Sequence, residues 1–293
     1  MVVALFADLP EICDGPTTSE VVGRDSSGTS FVLASANNCQ SDQYGRPTVG
    51  FMVICTNPID LGDEDSREFA LNTVAHEFGH ILGMNAFDFP YFRDSITGEQ
   101  RTKNYLEQQV LCVDGVVRSA ILPDENTLKM GTNSKGVRYA EIVTPTVRQV
   151  ARNQFNCQEM SGARLENQPT FDGDCFGSHW EQRFFYSEIM TAVATPTQRY
   201  LSPLTLALLE DSGWYKSVYL ESEISPFGHG AGCNFIFDDC IVDGKVPEWS
   251  RDSFCIGQER GCGPGHKQVT FCNTARYDRD LPKKYQYFPD PVC

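Results

Sequence analysis

The sequence predicts an α+β fold: an N-terminal sheet leading into one long helix, a second half that is mostly irregular and helical, and a cysteine-rich C-terminal module. Three observations carry this expectation. Short β-branched and aromatic runs, broken by Gly, Asp, Ser and Asn clusters, fill the first 60 residues. A helical pattern with its own start and stop signals follows between Asp65 and Gly83. Six of the twelve cysteines then fall within residues 219–293, among Gly and Pro with little periodicity. The chain therefore divides into residues 1–87, 88–218 and 219–293.

Taken in order, Met1–Ala7, Thr29–Ser35 and Thr48–Thr56 read as strands. Met1–Asp8 lacks the basic start, apolar stretch and cleavage site of a signal peptide, so the chain is expected to begin inside a domain whose start is truncated. In the helix, Phe69, Val74, Phe78, Ile81 and Leu82 recur at helical spacing, Asp65 with Glu68 resembles a capping box, and Gly83 suits a left-handed stop. Signals between Asp88 and Lys135 are mixed, with loops at Asp94–Glu99 and Gly131–Gly136. A helix opens at Thr144–Pro145, with Val147, Val150, Ala151 and Phe155 on one face. Another opens at Ser202–Pro203 and stops at Gly213; the acidic Glu210 and Asp211 at its C-terminal end oppose the helix dipole, and nothing in the sequence explains them.

A length of 293 residues is ample for a sizeable core, and no apolar run approaches the roughly 20 residues of a membrane span. The net charge of −15 is spread along the chain, which disfavours nucleic acid as a partner. No Cys-x-x-Cys pair is present, so twelve dispersed cysteines read as up to six disulfides formed in an oxidising compartment, extracellular or at a cell surface. There is no Asn-x-Ser/Thr sequon.

The chemistry concentrates in Ala75-His76-Glu77-Phe78-Gly79-His80-Ile81-Leu82-Gly83. Histidines four apart on a helix share a face and can reach one metal ion, while Glu77 between them can touch a water without being a ligand. H-E-x-x-H predicts a Zn2+-dependent hydrolase. A catalytic zinc normally takes three protein ligands. Compact metzincins supply the third within H-E-x-x-H-x-x-G-x-x-H, but position 86 here is Ala. His229 and His266 lie in loop-like, cysteine-flanked text and read as surface residues. His179 precedes Met190 by eleven residues, and Ser187-Glu188-Ile189-Met190-Thr191 can turn a thioether toward the metal, although a lone Met defaults to core packing. A downstream glutamate, Glu107 or Glu188, is the other way to complete the site.

At these residues the sequence resembles the leishmanolysins, a family of metzincin zinc peptidases. The likeness runs through His76–Gly83, Thr144-Pro145-Thr146-Val147 with Ala151-Arg152, Gly177-Ser178-His179-Trp180-Glu181, Glu188-Ile189-Met190-Thr191 and Leu204–Tyr215. In that family a long insertion separates the motif glycine from the third histidine; here 95 residues lie between Gly83 and His179. The resemblance implies a metzincin-like fold, one catalytic zinc held by His76, His80 and His179, Glu77 as the general base, and Met190 as the Met-turn support. It further implies protein and peptide substrates for a monomer, with cell-surface or membrane association through parts outside this chain. The competing reading is a disulfide-rich surface adhesion or binding protein that keeps a structural zinc site without catalysis.

Overall fold

The computed structural model describes all residues except 15–20, 25–29, 58, 61, 194–198, 252, 258, 264, 268, 273, 275, 289 and 291–293. Thr29 of the second expected strand therefore lies outside the described residues, as does Cys293.

Strands β1 (Val2–Ala7), β2 (Val21–Arg24), β3 (Ser30–Ser41) and β4 (Pro47–Ile54) form a four-stranded sheet in the order β1-β4-β3-β2. β1 runs parallel to β4, and the other pairs are antiparallel. A short helix α1 (Pro10–Cys13) is tied back to the end of β4 by the Cys13–Cys55 disulfide. Helix α2 (Glu64–Ile81) then crosses the sheet. Its cap is Asp63, whose side chain accepts from the Ser66 amide at 2.9 Å, two residues before the expected start. Ile81 packs on Ala36 and Met52, and Gly50 makes the approach possible: a Cβ there would sit 2.5 Å from Ile81 Cγ2.

Of the apolar stripe read from the sequence, only Ile81 is fully buried. Phe78 is exposed, Phe69 and Val74 are half-buried, and beside Ile81 the helix buries Thr73, His76, Glu77, Gly79 and His80. Burying ionisable groups in place of Phe costs free energy unless each is partnered. A polar buried face is thus the first structural sign of a site.

The second half begins with a tight turn. Gly83 has φ +119°, and a Cβ on it would lie 2.7 Å from Trp214 Cζ3, so both backbone and packing demand glycine. The region read as mixed contains two hairpins, β5 (Gln108–Leu111) with β6 (Val117–Ala120) and β7 (Leu128–Thr132) with β8 (Arg138–Ile142), the latter extended by β9 (Ala163–Arg164). Asp94–Glu99 is a loop as expected. Gly131 and Thr132 belong to β7, and only 133–136 form the turn, closed by Asn133 Oδ1 accepting from the Lys135 and Val137 amides.

Helix α3 (Pro145–Phe155) starts where the sequence placed it, but Thr144 does not cap it with its side chain. Asp211, at the end of α5 (Pro203–Asp211), does: it accepts from the Thr146 and Val147 amides at 2.8 and 3.0 Å and from Thr146 Oγ1 at 2.6 Å. Its charge, unfavourable for its own helix, sits on the positive end of another. Glu210 accepts from the Tyr219 hydroxyl. Between them, α4 (Gln182–Phe185) packs its Phe184 and Phe185 into the main core.

The C-terminal stretch joins that core. Cys157, just past α3, bonds to Cys233 at the start of α6 (Cys233–Phe237), and Phe155, Phe185, Phe227, Phe235 and Phe254 cluster around the bridge. Strands β10 (Arg260–Cys262) and β11 (Val269–Phe271) follow, with Cys255–Cys272 beside them. With Cys112–Cys175, four disulfides form among the described residues, while Cys39, Cys240 and Cys262 are free thiols. Among the described residues no helix is long and apolar enough to cross a membrane.

Candidate metal centre

Helix α2 delivers His76 and His80 one turn apart, both buried, and the chain brings His179 to them from 99 residues further on. His80 Nε2 lies 3.0 Å from His76 Nε2 and 3.1 Å from His179 Nε2. The far side of each ring meets an oxygen: His76 Nδ1 is 2.6 Å from Ile189 O, His80 Nδ1 is 2.8 Å from Met84 O, and His179 Nδ1 is 2.6 Å from Glu166 Oε1. Carbonyl and carboxylate oxygens only accept, so each Nδ1 carries the proton and donates. Each ring then turns its Nε2 toward the others.

Three imidazole nitrogens turned on one another could hold a metal ion between them. Tetrahedral Zn–N bonds of roughly 2.0–2.1 Å place neighbouring nitrogens about 3.3 Å apart, near the spacing observed. Burial first, then the cost of protonating His76 beside the His80 and His179 rings, push the His76 imidazole well below its usual pKa, and burial pushes His80 down to about 3. Both are held neutral, the form that binds metal.

The neighbours are built around this arrangement. Met190 is fully buried with its thioether against Gly79; a Cβ on Gly79 would collide with the sulfur and lie 2.8 Å from Cε. The Gly of the helix motif and the Met of the distant turn are therefore one fitted contact. Glu166 receives His179 Nδ1–H and the Thr170 hydroxyl (2.8 Å) on one oxygen. Burial raises its carboxyl, but the adjoining His179 ring and the hydrogen bonds from His179 and Thr170 outweigh that and hold it below the ordinary value. Gly177 leaves room for Glu166, whose Cγ an added Cβ would strike. Glu77 is 1% exposed and lies between the two helical histidines, with its charge felt at Arg199.

Position 86 is informative. The Ala86 amide donates to Ser178 Oγ at 3.0 Å, so the place where a compact motif would carry its third histidine lies against the residue preceding His179. The other candidates stand apart. Glu107 is exposed, accepting from Ser119 Oγ, and His229 and His266 are exposed. Glu188 is buried behind the turn, accepting from Ser202 Oγ, Thr205 Oγ1 and the Met190 amide. A glutamate as third ligand is thus a reading the geometry corrects: neither carboxylate joins the histidine cluster. Sequence reasoning missed Glu166, which lies in irregular chain 13 residues before His179. The need of a ligating imidazole for an acceptor on its other nitrogen was the available signal.

Residues 24–293 match the peptidase family M8, leishmanolysin. The chain is similar to a leishmanolysin-like peptidase of Drosophila pseudoobscura pseudoobscura, at 30% identity over 274 residues, covering 88% of this chain and 39% of that protein. It is similar to the ciliated left-right organizer metallopeptidase of Xenopus laevis, at 31% over 248 residues (84% and 30%). It is also similar to leishmanolysin of Leishmania donovani, at 26% over 269 residues (89% and 38%). The chain spans about two-fifths of the length of the first curated relatives it matches.

Proposed function

Because the chain belongs to the leishmanolysin family of metallopeptidases, we propose that it is a zinc-dependent endopeptidase with His76, His80 and His179 as ligands and Glu77 as general base. The observation that carries this is the convergence of three Nε2 atoms whose Nδ1 partners are all acceptors. Zinc bound there would supply Lewis-acid polarisation of the scissile carbonyl and make water nucleophilic near neutral pH. Glu77 takes a proton from the attacking water and delivers it to the leaving amine. Glu166 and the Ile189 and Met84 carbonyls hold the three rings in the ligating tautomer. Met190 supports the site from beneath Gly79.

The substrates would be proteins and peptides, and the enzyme a monomer working outside the reducing cytosol, a setting supported by four disulfides. The division at 87/88 and 218/219 would set the two helical histidines in one segment and the third in the next.

The test is gelatin digestion by refolded, zinc-loaded protein with and without a chelator, beside Glu77→Ala. The expected result is chelator-sensitive cleavage that Glu77→Ala abolishes while zinc content stays at one per chain. Substantial chelator-sensitive cleavage by Glu77→Ala would remove Glu77 from its role. No zinc uptake by the wild-type chain would remove the site itself.

A further inference from the structure

Arg199 is a buried cation beside the site that the chemistry above leaves unused, at 5% exposure. One nitrogen does all its visible work: Nη2 donates to Thr191 O at 2.7 Å, Thr191 Oγ1 at 2.8 Å and Val193 O at 3.3 Å. Thr191 follows Met190, and the two residues before it orient the site: Ile189 O receives His76 Nδ1–H, and the Met190 thioether lies on Gly79. Thr191 also bridges to Trp180, the neighbour of His179, whose amide donates to Met190 O at 2.9 Å. The backbone gripped by Arg199 is thus attached to both helical and distant ligands.

The grip is costly. Burial pulls the guanidinium down to about 10, against the charges of Glu188, Tyr186 and Glu77. Nε and Nη1 are sealed from water with no hydrogen-bond partner among the described residues. Buried donors left unmade are destabilising, and an apolar residue of similar volume would avoid the loss. Packing alone does not account for arginine here.

We infer that Arg199 is a positioning residue of the metal centre: Nη2 fixes Thr191–Val193, and with it the Ile189–Met190 backbone that orients His76, while its charge offsets Glu77 and Glu188 in the same buried volume. This rests on the reading of His76, His80 and His179 as metal ligands.

Since all three bonds come from a single nitrogen, a lysine ammonium with its three donors can replace them in part, whereas methionine cannot. The experiment compares wild type, Arg199→Met, Arg199→Lys and Thr191→Val by chelator-competition zinc affinity, kcat and KM on a peptide, and amide exchange of the zinc-free proteins. Arg199→Met is expected to lose about 10–100-fold in zinc affinity and to lower kcat with KM little changed. Its Thr191–Val193 amides should exchange faster without metal, and Arg199→Lys should recover most of each loss. Wild-type zinc affinity and exchange in Arg199→Met would overturn the inference, as would an Arg199→Lys protein as impaired as Arg199→Met. If Arg199→Met does not fold, the comparison passes to Thr191→Val, which is expected to weaken zinc binding, and unchanged affinity there overturns it. A wild-type chain that takes up no zinc, yet shows the exchange difference, would sink the site reading and leave the clamp standing.

Discussion

Glu166 Oε1 lies 2.6 Å from His179 Nδ1, and the same oxygen receives the Thr170 hydroxyl, whose own oxygen accepts from the Ser178 amide at 2.7 Å. The third histidine is therefore held by a short polar chain that folds its own loop back on itself. Removing the carboxylate should free the ring to turn and lose part of its basicity. Glu166→Ala is expected to lower zinc affinity about 10–100-fold, and Glu166→Gln, which keeps an acceptor, by less. Chelator competition reads both; equal affinity in Glu166→Ala and wild type would show that Glu166 does not orient the ligand.

Gly79 and Met190 form the second long-range fit. Alanine at position 79 gains about 1 kcal/mol of helix propensity, but its Cβ meets a fully buried thioether with nowhere to move, an overpacking worth about 1–3 kcal/mol. Gly79→Ala should lower Tm and activity, and adding Met190→Ala should restore part of the stability because the clashing group is gone. Strictly additive effects of the two changes in thermal melts would refute the contact.

What was legible in the sequence followed locality. Helix α2, with its motif and its glycine stop, declared itself through spacing within a few turns. Its buried face did not, because Phe78 is turned outward and the histidines inward, reversing the usual rule in order to build a site. His179 was not recoverable from periodicity; its place came from the resemblance of Gly177–Glu181 and Glu188–Thr191 to a known family, and the histidine cluster then brought it to His76 and His80. Glu166 and Arg199 sit in irregular chain, where contacts rather than patterns assign a role. The hairpins β5–β6 and β7–β8 were hidden for a related reason: their strands are only four or five residues long, so alternation has little room to show.

Asp211 turns an apparent sequence fault into a prediction. Its carboxylate is the cap of α3, supplied by α5, so Asp211→Ala strips acceptors from two buried-end amides and a hydroxyl. The expected cost is about 1–2 kcal/mol, or roughly 2–6 °C in Tm, with kcat unchanged below the melt. A stabilised Asp211→Ala protein would mean that the unfavourable dipole at the end of α5 outweighs the cap.

Asp88 gives the chain a stability that depends on pH. It is buried at the junction of sheet and second half, where Asn38 of β3 donates to its Oδ2 at 2.5 Å. Burial lifts its carboxyl to about 7 from an ordinary 3.8, against the lowering effect of that hydrogen bond. Tyr215 packs nearby and feels Asp88 together with Arg46 and Asp42. Because the folded value exceeds the unfolded one, the folded state binds the proton more tightly. The resulting contribution is complete below about pH 4 and is lost as pH rises to about 7, beyond which the penalty stays constant. Asp88→Asn keeps an acceptor for Asn38 and removes the charge. Its Tm advantage over wild type should grow by several degrees from pH 4 to 7 and then level off. Thermal melts across that range decide it: parallel Tm curves for the two proteins would show that Asp88 is ionised in the fold at no cost.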